Sequence, residues 1–128
     1  MSKGIPNKAT KKAAAAATRP LFRDAARQFD DATAKLAAAL DGPTLTPNRR
    51  IILKIDRDRA RLDRGINLFE SSRTYVRPAG AEEITARGEA LREASRAFDD
   101  VGDRDHNNPF AWSARAWKAE CLYGTQDV

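Results

Sequence analysis

His106 and Cys121 are the one histidine and the one cysteine of the 128-residue chain. Any nucleophile–histidine pair would have to be built on His106, and a disulfide framework or a Cys/His zinc site is excluded. His106 sits in Asp103-Arg104-Asp105-His106-Asn107-Asn108. That segment is rich in oxygen ligands, but its spacing matches no calcium loop and lacks the closing glutamate, so it reads as a solvated connection that caps the next helix. Cys121 shares a helix with Trp117 and is expected to act as a small hydrophobe. The carboxylates read as helix-surface charges, so no general acid–base site is assembled. No cofactor motif is present, and a non-enzymatic protein with no metal is expected. The remaining chemistry is cationic: 23 Lys+Arg against 18 Asp+Glu give a formal charge of +5.

Those cations are concentrated. Residues 1–19 carry Lys3, Lys8, Lys11, Lys12 and Arg19 with no acid. Residues 47–77 carry nine bases against four acids, whereas residues 78–128 carry six bases against ten acids. In the second basic segment Arg50, Lys54, Arg57, Arg61 and Arg64 are spaced 4-3-4-3. On a helix this confines them to an arc of about 80°, roughly 140° from the apolar seam of the same segment. A flexible cationic arm and a cationic ridge are each suited to the phosphate backbone of duplex DNA, where release of counterions drives binding. No aromatic side chain interleaves the ridge, which argues against stacking on single strands. Asp56, Asp58 and Asp63 flank it, and the alternative is a salt-bridged, solvated face.

The opening Lys3-Gly4-Ile5-Pro6-Asn7-Lys8-Ala9-Thr10 resembles the Gly-Arg-Pro-Lys-Gly-x-x-Asn-Lys-x-Thr segment found in bacteriophage proteins, notably small terminase subunits. Lys3, Gly4, Asn7, Lys8 and Thr10 match, while Met1-Ser2 stands where Gly-Arg-Pro would be. The resemblance implies a phage DNA-packaging protein with a DNA-binding N-terminal part and a helical-hairpin oligomerisation core. It also implies double-stranded DNA, further copies of the chain and other phage assembly proteins as partners. A helix-turn-helix would need about three helices at the N-terminus, where the sequence offers one helix and an alanine stretch.

The elements that must position these charges are helical. Segments rich in glycine, proline and asparagine (Asp41-Gly42-Pro43 with Pro47, Arg77-Pro78-Ala79-Gly80, and 101–109) separate stretches of helical period, and no stretch alternates as a strand would. Residues 1–19 are expected as a basic flexible arm; within it Asn7 could cap a short alanine-rich helix that orders on a partner. Residues 20–128 are expected as one all-α helical domain. Its first helix runs over about 20–40, with Phe22, Phe29 and Leu36 on one face. A long helix follows from about Pro47 to Val76, roughly 45 Å at 1.5 Å per residue. Its seam reads Ile52, Ile55, Arg59, Leu62, Ile66, Phe69, Arg73 and Val76, a heptad pattern interrupted twice by arginine. The next helix, about Ala81 to Val101, repeats Ile84, Leu91 and Phe98, and the short connection predicts an antiparallel hairpin over about 47–101.

Arg59 and Arg73 are expected to pair with Glu82, Glu89 or Glu93 of that hairpin, or to fix contacts between subunits. The last helix, about 109–123, is apolar on two sides: Phe110, Ala114, Trp117 and Cys121 on one, Trp112, Ala116, Ala119 and Tyr123 on the other. Such a helix is sandwiched in the core or used at a subunit interface. No apolar run approaches the roughly 20 residues needed to span a bilayer, and the N-terminus lacks a signal peptide's apolar stretch. A cytoplasmic protein without membrane contact is expected, in a host cell or a virion if phage-encoded. A helical structural or adaptor protein acting through protein contacts is the alternative function.

Overall fold

The computed structural model describes residues 8–75, 80–102 and 108–126. The protein is all-α, with α1 (Lys8–Ala17), α2 (Arg19–Leu40), α3 (Pro47–Ser72), α4 (Ala81–Gly102) and α5 (Ala111–Gln126). His106 and Val76 lie outside the described residues.

Only Thr18 separates α1 from α2. Its hydroxyl donates to the Ala15 carbonyl at 2.7 Å, and Pro20 lies in the first turn of α2, where its missing N–H costs nothing. At the other end Asp41 closes α2, and Gly42-Pro43 prevents continuation. The side chain of Thr46 caps α3 by accepting from the Arg49 N–H at 3.1 Å, with Pro47 as the first helical residue.

α3 stops at Ser72 rather than reaching Val76. Near its end Ser72 Oγ donates to the Phe69 carbonyl and Thr74 Oγ1 to the Ser71 carbonyl at 2.7 Å. Short hydroxyl side chains here take carbonyls that the next turn of helix would need.

α2, α3 and α4 lie side by side with α3 in the middle, and α5 rests mainly on α4. α2 runs antiparallel to α3: Asn67 Nδ2 donates to the Phe22 carbonyl at 2.8 Å near one end, and Arg50 Nη1 to the Leu40 carbonyl at 3.1 Å near the other. The core joins Leu62 of α3, Leu91, Ala94, Phe98 and Val101 of α4, and Ala114 and Cys121 of α5. Trp117 of α5 closes it, edge-on to Phe69 at 5.4 Å and roughly parallel to Phe98 at 6.2 Å between centroids. Asn108 ties the entry of α5 to the end of α4: its Nδ2 donates to the Val101 carbonyl at 3.2 Å and its Oδ1 accepts from the Phe110 N–H at 2.8 Å. The connection therefore caps the last helix, through Asn108.

Candidate nucleic-acid and assembly surfaces

Two neighbours, not one, set the environment of the α3 ridge. At about 100° per residue, Asn67 and Gly65, which face α2 and α4 respectively, lie about 160° apart around α3. Arg50, Lys54, Arg57, Arg61 and Arg64 fall in the arc between. Phe98 lies over Gly65 and α4 ends at Gly102, so α4 reaches only to about residue 61 of α3, and of the ridge Arg61 and Arg64 line the cleft between the two helices. Arg50 and Lys54 are exposed near the start of α3, whereas Arg57, Arg61 and Arg64 are half-buried.

The half-buried arginines meet carboxylates. Arg64 Nε is 2.6 Å from Asp30 Oδ1 of α2, and its Nη2 is 4.0 Å from Glu93 Oε2 of α4. Arg57 and Arg61 each approach Asp58 at 3.7 Å, and Asp58 is itself buried. The cleft, about 360 Å³, has three arginines (Arg61, Arg64, Arg96) and three carboxylates (Asp30, Glu93, Asp100) in its wall. This stretch is thus close to neutral, and Arg64 ties both α2 and α4 to α3. Asp58 was legible as a neutralising neighbour three residues from Arg61. Asp30 and Glu93 were not, because only the packing brings them to Arg64.

Arg19 serves the fold. Its guanidinium lies 3.8 Å from the centre of the Tyr75 ring, with Nε donating to Thr74 Oγ1 at 3.0 Å and Nη2 to the Thr74 carbonyl at 3.1 Å. Thr74 is buried, so these donors replace water at groups that have lost it. Lysine cannot both stack and donate twice in this geometry. Arg19→Lys is expected to destabilise the fold by about 1–2 kcal/mol in urea titration, with no loss of helix content below the transition.

Of the arm lysines, Lys11 is exposed and Lys12 Nζ is 3.6 Å from Glu83 Oε2 of α4. Lys3 and the side chain of Lys8 lie outside the described residues.

Neither seam arginine pairs with Glu82, Glu89 or Glu93. Arg73, which follows α3 as its C-cap, is 3.7 Å from Glu70, and Arg59 is exposed with no ion pair recorded among the described residues. The reason is angular: Arg59 lies about 120° around α3 from the α4-facing Gly65.

α5 is not sandwiched within the chain. Phe110 and Trp117 pack against the core. Trp112 and Tyr123, on the other side, are 78% and 73% exposed, and Ala116 and Ala119 between them are exposed as well. The Arg115 guanidinium stands 5.2 Å from the Trp112 ring centre. On α3, Ile51, Ile52 and Ile55 are likewise exposed. Ile51 was not singled out by the heptad reading, although the adjacent Ile51-Ile52 pair is a signal that one isoleucine must point outside a single buried stripe.

Cys121 is buried at the α4–α5 contact, and burial, with Glu120 beside it, pushes its thiol up to about 11. A raised thiol pKa favours folding while the thiol stays protonated. That contribution is complete below the ordinary value of 9.0 and is lost as pH rises from there through about 11. Cys121 should resist a thiol reagent at pH 8 until urea unfolds the chain, and Cys121→Ser should flatten the decline in stability above pH 9. Among the described residues no group of three or more His, Cys, Asp and Glu side chains could hold a metal ion. Among them, too, no helix is long and apolar enough to cross a membrane.

Comparison with protein-family models, with curated proteins and with solved structures returned no match to this chain.

Proposed function

We propose that this chain is a non-catalytic, self-associating protein of the phage DNA-packaging type that grips the backbone of duplex DNA through its N-terminal basic segment. The observation that carries the reading is the difference between the two cationic segments. Carboxylates from α2, α3 and α4 already stand against Arg57, Arg61 and Arg64. Residues 1–19 contain no acid, and among their described lysines only Lys12 meets one. Cations not matched by the protein are those that release counterions on meeting phosphate. Lys3, Lys8 and Lys11 therefore make the principal contact, joined by Lys12, whose long, partly exposed pair with Glu83 opens at little cost; Arg50 and Lys54 at the far end of α3 are accessory, and Arg19 stays with the fold. The resemblance of Lys3-Gly4 and Asn7-Lys8-Ala9-Thr10 to small terminase subunits supports the same reading, with other phage assembly proteins as further partners and the host cytoplasm or the virion as its place.

Retardation of a duplex DNA fragment tests this. The full chain should retard it at low salt, and deletion of residues 1–12, which spares Arg19, should abolish retardation while leaving the helical signal of α2–α5 in place. A full chain that leaves DNA unretarded at low salt contradicts the reading.

The exposed aromatic face of α5 favours a second reading, a structural or adaptor protein of a virion or other assembly. Under it the basic segment touches packaged nucleic acid without carrying the protein's main affinity.

A further inference from the structure

Exposed cations stand at both ends of the bundle. At one end are Lys11 and Lys12 of α1, because Arg19 fixes the start of α2 to Thr74 and Tyr75, and Lys12 lies against Glu83 in the first turn of α4. At the other end Arg49, Arg50 and Lys54 are exposed at the start of α3, where Arg50 reaches the Leu40 carbonyl. With Arg59 they are four exposed bases against two exposed acids, Asp41 and Asp56, over residues 41–59.

Two registers give nearly the same separation of these ends. Phe22 meets Asn67, which lies 17 residues beyond Arg50, and Lys12 precedes Phe22 by ten residues along helices that continue through Thr18. At 1.5 Å per residue Lys12 stands about 40 Å from Arg50. The other register runs through α4, where Phe98 meets Gly65 and Glu83 precedes Phe98 by 15 residues, and it places Lys12 about 45 Å away. Between the ends the charges cancel. The cleft sets three arginines against three carboxylates, and the outer side of α2 exposes Arg23, Arg27 and Lys35 against Asp24, Asp30 and Asp31. From Glu89 to Asp100, α4 exposes three acids and two bases. A duplex laid along the bundle to touch both ends would pass about 12 base pairs over a surface with no cationic excess to displace its counterions.

We infer that the two ends grip separate duplexes, so that the chain bridges DNA. The N-terminal lysines hold one segment, and Arg49, Arg50 and Lys54 meet the phosphates of another. The second grip is weak for a single chain, with a surplus of only two cations over residues 41–59. Copies arrayed along one duplex by their N-terminal lysines present a row of such ends, and contacts made together hold a second duplex that one contact would release. The ends also act independently, since about 40 Å is several times the screening length at physiological salt.

The inference rests on the DNA contact of the proposed function, and its test reads the two grips separately. One duplex is fixed to beads and a labelled duplex is offered in solution. The unmodified chain should retard a single duplex in a gel and should also carry the labelled duplex onto the beads. Arg49→Glu with Lys54→Glu reverses the charge of the second end and leaves Arg50 on the Leu40 carbonyl. This variant should keep its circular dichroism and retard a single duplex within about two-fold of the unmodified chain, while capture of the labelled duplex falls about ten-fold or more. An unmodified chain that retards no duplex overturns the DNA contact and the bridge together. If the unmodified chain does retard DNA, three results overturn the bridge alone: no capture, capture that survives the charge reversal, or retardation that falls as far as capture does.

Discussion

Phe98→Ala should cost the fold about 3–5 kcal/mol, the largest loss expected of any single truncation in this chain. Phe98 is 1% exposed and lies between Gly65 of α3 and Trp117 of α5, so its removal opens a cavity at the point where three helices meet. Its partner in sequence terms is a residue with no side chain. A Cβ built on Gly65 would stand 2.5 Å from Phe98 Cε1 and 2.9 Å from two further ring carbons, closer than such atoms approach. Alanine in a helix is ordinarily better than glycine by about 1 kcal/mol. Here the buried ring cannot retreat, and overpacking of about 1–3 kcal/mol outweighs that gain, so Gly65→Ala should destabilise. In the Phe98→Ala background the clash is gone and the same substitution should stabilise by up to about 1 kcal/mol. Urea titration of the four proteins closes this cycle, with a coupling of roughly 1–3 kcal/mol, the overpacking itself. If Gly65→Ala stabilises both backgrounds equally, the close passage of α3 and α4 is wrong.

The hairpin was legible for local reasons. Pro47 marked the start of α3, the period of Leu62, Ile66 and Phe69 marked its buried face, and Leu91 and Phe98 marked the answering face of α4. What escaped the sequence depended on partners distant along the chain. The heptad seam reads as one continuous stripe, yet only its later half is covered, because the stagger of α4 along α3 is set by Gly65 and Phe98 and by no local signal. The ridge reads as an outward face because the pattern names one apolar stripe. α2 is tied to α3 by polar groups, the Asn67 amide on the Phe22 carbonyl and Arg50 on the Leu40 carbonyl, which leave no apolar period to read, and the second contact of α3 was thereby hidden. Arg19 looked like one more cation of the arm, since nothing near it announces Thr74 and Tyr75, more than 50 residues on.

That difference between arm and ridge sets the second large effect. Lys3, Lys8, Lys11 and Lys12 together, changed to alanine, remove about four phosphate contacts, which should weaken duplex binding roughly hundred-fold at moderate salt. The same number of substitutions is not needed to test the ridge. Arg57→Ala with Arg61→Ala removes two cations already held by Asp58, and should lower stability while leaving DNA affinity within about two-fold. Alanine favours helix over lysine only slightly, so α1 should keep its helicity in the first variant and the loss of binding is electrostatic.

The dependence of DNA affinity on salt concentration, measured for the full chain and for the four-lysine variant, addresses the claim most directly. The logarithm of the binding constant should fall linearly with the logarithm of salt concentration, with a slope about 3–4 units shallower in the variant, close to 0.9 for each lysine removed. Equal slopes for the two proteins would mean that the N-terminal segment does not touch the phosphates, and the account of this chain as a DNA-gripping protein would be contradicted.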